Sequence, residues 1–122
     1  MAWNLNNDRP IYAQIIERIE MQIISGSYKP GGKLPSVREF AAEAGVNPNT
    51  MQKALGELER MQLIVTQRTS GRVVTEDFSM IENVKKQFAH EQIKSFLEKM
   101  KELGIGKEET IQLLQGVSEE ER

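Results

Sequence analysis

The chain has 122 residues, with 16 Lys+Arg against 18 Asp+Glu, one His and no Cys. Its 39% hydrophobic and 28% charged content suits a globular chain and excludes a disordered one, and no apolar run approaches the roughly 18 residues of a membrane span. The lack of Cys removes disulfides, thiolate nucleophiles and cysteine-based zinc sites together.

The first pattern lies between Pro10 and Gly26, where Ile11, Ile15, Ile19 and Ile23 recur every fourth residue and Ile16 and Ile24 widen the stripe. That spacing is one face of an amphipathic helix. Pro10 suits its first turn, where a missing N–H costs nothing, and Gly26 suits its exit. Tyr28-Lys29-Pro30-Gly31-Gly32 then reads as a loop.

Ser36 is a good N-cap for a short second helix, and Glu39 three residues on completes a capping box. Val37, Phe40, Ala41 and Ala44 give that helix an apolar face, and Gly45 ends it. Asn47 can cap a third helix and Pro48 can open it, with Met51, Ala54, Leu55, Leu58 and Met61 on the buried side. Two helices this close, joined through a glycine, form a helix-turn-helix. Leu63 to Gln67 and Arg72 to Thr75 favour strands, and Arg68-Thr69-Ser70-Gly71 between them is a turn. Three helices and a hairpin make the winged variant.

After Thr75 the composition shifts. From about Ser79 to Leu103 there is no Gly or Pro, and helix formers dominate. Ile81, Val84 and Phe88 make one apolar patch; Ile93, Phe96, Leu97, Met100 and Leu103 make a second, rotated around the helix. Gly104 is a stop, and Glu108 to Gln115 can form a last helix carrying Ile111, Leu113 and Leu114. Two helices cannot bury so much apolar surface by themselves, so a second copy of the chain is the simplest partner. The expected dimer contacts are Phe88, Phe96, Leu97, Met100 and Leu103.

The expected architecture is mainly α: a winged helix-turn-helix N-terminal domain (1–76), a two-helix dimerisation segment (77–118) and a disordered tail (119–122). The start, MAWNLNNDRP, lacks the basic region and apolar core of a signal peptide, which points to the cytoplasm. Charge divides with the architecture. Residues 1–75 carry 9 Lys+Arg and 7 Asp+Glu, whereas residues 76–122 carry 7 and 11, so the first part suits an anionic partner better.

Little here suggests an enzyme, a metal or a cofactor. His90 lies inside a helix beside Glu91, ordinary composition for a solvated or dimer-contact residue, and no nucleophile has a plausible base. The polar residues instead fall where nucleic-acid recognition needs them. Asn47, Asn49, Thr50, Gln52 and Lys53 lie at the start of the third helix, the part that reaches base edges in a helix-turn-helix. Asn and Gln can pair with adenine through two hydrogen bonds, and Thr can meet base or phosphate. Ser36 and Arg38 at a helix N-terminus suit phosphate, and Arg68 and Arg72 flank Gly71 at the tip of the hairpin. Each has a plain structural alternative, Asn47 and Ser36 as caps above all; their convergence favours DNA.

The run Pro10-Ile11-Tyr12-Ala13-Gln14-Ile15 precedes Gly26-x-Tyr28-x-Pro30-Gly31-x-x-Leu34-Pro35-Ser36-x-Arg38-x-Phe40-Ala41. Val46-Asn47-x-Asn49-Thr50-Met51-x-x-Ala54-Leu55-x-x-Leu58-Glu59 and Gly71-Arg72-x-Val74 follow. Together, over about residues 10 to 75, they resemble the N-terminal domain of GntR-family bacterial transcription regulators. The short helical remainder is similar to the YtrA-like branch, whose small C-terminal part serves dimerisation. The resemblance implies a DNA-binding homodimer, usually a repressor, acting on a palindromic double-stranded operator. The family's contacting positions fall on Ser36, Arg38, Asn47, Asn49, Thr50, Gln52 and the wing residues Ser70, Gly71 and Arg72. Pro48 and Gln52 stand where many members carry Arg, so two guanidinium contacts are absent.

A winged helix used purely as a protein-interaction module is the alternative, because a fold alone does not fix function. An unidentified small-molecule effector is also left open, with a pocket conceivable where the wing meets the dimer helices, near Trp3 and Tyr12. Trp3 is more often a hydrophobic anchor for a terminal segment than part of such a pocket.

Overall fold

The computed structural model describes residues 3–117, in two compact units, Met1–Lys85 and Lys86–Arg122. The tail expected to be disordered lies outside the described residues.

In the first unit, α1 (Ile11–Ile24) buries Ile15, Ile19 and Ile23. Pro10 does not open the helix as expected. It precedes it, with an extended ψ of 131°, and its carbonyl accepts the Gln14 N–H at 3.3 Å. The buried Gln14 amide ties down the preceding segment: its nitrogen donates to the Asn6 and Arg9 carbonyls, and its oxygen accepts the Asn6 N–H at 2.8 Å. Such pairing is what a buried amide requires.

The helix-turn-helix has the expected form. α2 (Val37–Ala44) ends at Gly45, whose left-handed φ of +75° is costly for a residue with a Cβ. Asn47 caps α3 (Pro48–Arg60), and Pro48 opens it. Met51, Ala54, Leu55 and Leu58 of α3 are completely buried beside the isoleucines of α1 and Phe40 of α2. Trp3 and Tyr28 meet the Phe40 ring edge-on, at centroid distances of 5.9 and 6.0 Å.

α3 leaves through Gln62, the one non-glycine among the described residues with a left-handed φ, +68°. The wing follows as β1 (Ile64–Gln67) and β2 (Gly71–Val74), antiparallel with Ile64 opposite Val74 and Thr66 opposite Arg72. The strands are slightly displaced from the expected ones. Leu63 precedes the ladder as a completely buried residue, and Gly71, at φ +77°, starts β2 instead of closing the turn. An unforeseen bridge joins Lys33 to Val73, so the Pro-Gly-Gly loop ends as a third edge of the wing.

α4 (Phe78–Glu102) starts where Asp77 accepts the Met80 N–H at 3.1 Å, and Ile81 is its buried residue. In the second unit α4 ends at Gly104, φ +82°, with the Ile105 N–H returning to the Met100 carbonyl. α5 (Lys107–Gln115) follows, and its buried Thr110 hydroxyl donates to the Gly106 carbonyl at 2.7 Å. Of the expected dimer residues, Leu103 is 73% and Phe96 39% exposed, while Phe88, Leu97 and Met100 are half-buried. Ile93, Ile111, Leu113 and Leu114 are exposed as well. No helix among the described residues is long and apolar enough to cross a membrane.

Candidate nucleic-acid interface

The outward side of α3 is set by what the inward side buries. With residues 51, 54, 55 and 58 in the core, the 3.6-residue period leaves Asn49, Gln52, Lys53 and Gly56 as a solvent-facing row. Asn49 and Gln52 are fully in that row. Asn47 is exposed, but its side-chain oxygen accepts the Asn49 N–H at 2.7 Å, so it caps the helix in this structure. Thr50 is half-buried at the edge of a small apolar hollow shared with Trp3, Leu5, Ile11 and Val46. Lys53 leans towards α1: its ammonium lies 4.9 Å from the centroid of the Tyr12 ring.

At the start of α2 the capping box is complete. The Ser36 hydroxyl accepts the Glu39 N–H at 3.2 Å, and the Glu39 carboxylate accepts the Ser36 N–H at 3.0 Å. Donation from the Ser36 backbone N–H, and then from its side chain, holds the Glu39 carboxyl below the usual carboxylate range. Arg38 projects from the same turn, exposed and in no ion pair among the described residues.

The wing stands across a groove from this helix start. Ser36 lines it from the helix start, and Lys33, Thr66, Ser70, Gly71 and Arg72 line it from the wing and its added edge. Ser36 and the three wing residues Ser70 to Arg72 therefore come together around one cleft. Arg68 is exposed at the turn. Arg72, expected to project from the wing tip, is turned inward instead. Its Nε donates to Glu59 Oε1 of α3 at 2.8 Å, and its side chain is only 20% exposed. The register explains this, since Thr66 and Arg72 are cross-strand partners and both bond the Glu59 carboxylate.

Lys33 escaped the sequence reading, as did the pairing of Glu59 with Arg72 and of Tyr12 with Lys53. Lys33 had a signal, a cation three residues before the Ser36 cap; Glu59 and Tyr12 act through pairings that only the tertiary fold creates. The conceived ligand pocket also changes. The hollow beside Trp3 is lined from the N-terminal segment, α1 and the helix-turn-helix, not from the wing, because Trp3 anchors on Phe40 and its N–H on the Ala44 carbonyl. Among the described residues no group of three or more His, Asp or Glu is placed to hold a metal.

The chain is similar to known proteins in sequence and in fold. The family model for bacterial regulatory proteins of the gntR family matches residues 11–74. The HTH-type transcriptional regulator YhcF of Bacillus subtilis is 38% identical over 106 residues, covering 87% of this chain and 88% of its own. The transcriptional repressor YtrA of the same organism is 48% identical over 68 residues, 56% of this chain and 52% of YtrA. Among solved structures, a GntR family transcriptional regulator from Listeria monocytogenes superposes with a TM-score of 0.84 at 39% identity, covering 93% of this chain and all of that one. The AraR DBD in complex with operator ORX1 superposes at 0.52, with 30% identity over 62% of this chain and 92% of that one.

Proposed function

Since the chain belongs to the GntR family of bacterial regulatory proteins, we propose that it binds a palindromic operator as a homodimer and represses transcription there. Membership itself makes it a winged helix-turn-helix DNA-binding transcription regulator and not an enzyme, and it answers the protein-interaction alternative.

One observation carries the docking geometry: the outward row of α3 and the groove between Ser36 and the wing belong to one unit, so base-reading and phosphate-holding groups come pre-arranged. Asn49, Gln52 and, at the edge, Thr50 read base edges in the major groove. Arg38, Ser36, Lys53, Arg68 and Ser70 meet phosphates, Gly71 lets the wing backbone approach closely, and Arg72 lends its charge from within the groove. Asn47 contributes as the cap that orients Asn49.

The homodimer rests on the exposed apolar side chains of the second unit. Phe96 and Leu103, with Leu97, Met100 and Phe88 beside them, present surface that a second copy covers. Two-fold pairing places two recognition helices one DNA turn or a multiple apart, and a palindrome mirrors that symmetry. Repression follows the relative YtrA, a transcriptional repressor.

Fluorescence anisotropy with DNA from upstream of the protein's own gene, beside scrambled DNA at two salt concentrations, tests the reading. Tight, salt-sensitive and sequence-selective binding is expected. Equal, weak binding to both DNAs at every salt would sink it.

A further inference from the structure

The recognition helix carries a glycine that its own fold does not use. Gly56 is the ninth of thirteen residues in α3, well inside the helix, where alanine would favour the conformation. Its φ is not among the left-handed ones, and a Cβ built on it meets no heavy atom within 4 Å. Neither backbone strain nor packing inside the chain calls for the missing side chain.

Its place on the helix says what does. Gly56 continues the outward row, seven residues after Asn49 and four after Gln52. The neighbouring long side chains lean off that row: Lys53 towards the Tyr12 ring, and Arg60 into an ion pair with Glu57. The result is one patch of bare helix backbone, at Gly56, in line with Asn49 and Gln52. An α-helix with its side chains is about 10–12 Å across and the major groove about 12 Å wide, so a helix that lies along the groove is limited by the side chains in the middle of its inner row.

We propose that at Gly56 the DNA comes into van der Waals contact with the backbone of α3, so that the helix lies along the major groove from Asn49 to Gly56 instead of entering by its N-terminal tip alone. This rests on the DNA-binding reading above and specifies its geometry.

The test compares the full-length protein with Gly56→Ala and Gly56→Gln. The probe is the duplex that the unsubstituted protein enriches from a random library, read by anisotropy. Alanine should raise the melting midpoint by about 4 °C, because helix propensity improves. It should nevertheless lower affinity about tenfold, as one methyl overfills a close contact, and glutamine should lower it further. A gain in stability with a size-graded loss of binding is not what a merely structural glycine would give. Unchanged affinity in both variants would overturn the proposal, as would equal losses, which would mark a need for helix flexibility. A change in sedimentation on Gly56→Ala would overturn it too, by assigning the patch to contact between copies. If the unsubstituted protein enriches no duplex, the DNA-binding geometry fails as a whole, an outcome distinct from enrichment with tolerant variants.

Discussion

Glu59, in the last turn of the recognition helix, accepts a hydrogen bond from Arg72 Nε of the wing at 2.8 Å, while its other carboxylate oxygen accepts one from the Thr66 hydroxyl. One side chain thus ties both strands of the wing to α3, the helix proposed to read DNA. The pair is mostly shielded, at 20% and 29% side-chain exposure, so it belongs between the weak surface pairs and the costly buried ones.

Replacing Glu59 with Gln should cost about 1 kcal/mol at neutral pH and loosen the wing. Burial pushes the Glu59 carboxyl up, but the hydrogen bonds from Thr66 and Arg72 and the Arg72 charge together outweigh it and hold the group below its ordinary 4.5. A depressed folded value means that the contribution is complete above the unfolded value and is lost as pH falls through the folded one. Thermal melts should therefore separate wild type from Glu59→Gln at pH 7, and converge well below pH 4.5. A gap that persists in acid would rule out the charge as its origin.

Gln62 offers the opposite sign. Its φ of +68° places a side chain where the backbone carries a steric penalty, and the Leu63 N–H closes the helix end onto the Leu58 carbonyl. Gln62→Gly should stabilise the first unit by about 0.5–1 kcal/mol, the relief of that penalty less the entropy glycine adds to the unfolded chain. Gln62→Ala, which removes the side chain but keeps the Cβ, should give no such gain. A denaturation series on the three proteins decides it.

Ser36 stands as a cap in the structure and as a phosphate contact in the proposed function, and one substitution separates the roles. Aspartate caps as well as serine, and a negative charge suits a helix N-terminus. Ser36→Asp should therefore leave the melting midpoint near wild type while lowering DNA affinity at least about tenfold, by charge repulsion from phosphate. Ser36→Ala should cost about 1 kcal/mol of stability through the lost cap. If Ser36→Asp bound DNA like wild type, no phosphate would approach this helix end.

How far the sequence carried these conclusions depends on the range of the interaction. The capping box of Ser36 and Glu39, the Gly45 exit and the Asn47–Pro48 entry all act within four residues, and the chain declares them. The isoleucine stripe of α1 is as local, since its period is the helix's own. Arg72 and Lys53 are different. Both were placed correctly along the chain, yet their side chains are directed by Glu59 and Tyr12, thirteen and forty-one residues away. The Lys33–Val73 bridge failed for a similar reason: one paired residue after a Pro-Gly-Gly loop has no period to read.

Arg38 and Asn49 should separate strength from selectivity. Arg38→Ala should weaken binding to every duplex and lower the slope of log affinity against log salt by about 0.9, the share of one neutralised phosphate. Asn49→Ala should leave that slope alone and relax the preference at one base pair by about 1–3 kcal/mol. Anisotropy titrations at four salt concentrations, on the enriched duplex and on single-base variants of it, read both quantities. An unchanged salt slope in Arg38→Ala would remove that residue from the phosphate contacts.

The dimer assignment has its sharpest probe at Leu103. It is 73% exposed in the single chain, so a charge there meets water and leaves the first unit untouched. In a dimer that covers it, a carboxylate without a partner would be buried at a cost of several kcal/mol. Leu103→Glu should therefore sediment as a monomer while its melting curve keeps the transition of the winged helix-turn-helix. Its affinity for a full palindrome should fall to that for a half-site, because the second recognition helix no longer arrives tethered to the first. If Leu103→Glu stayed dimeric, the contact between copies would have to lie on other exposed apolar residues of the second unit, such as Ile93 of α4 or Ile111, Leu113 and Leu114 of α5, and charge substitutions there would then be the ones to split the particle.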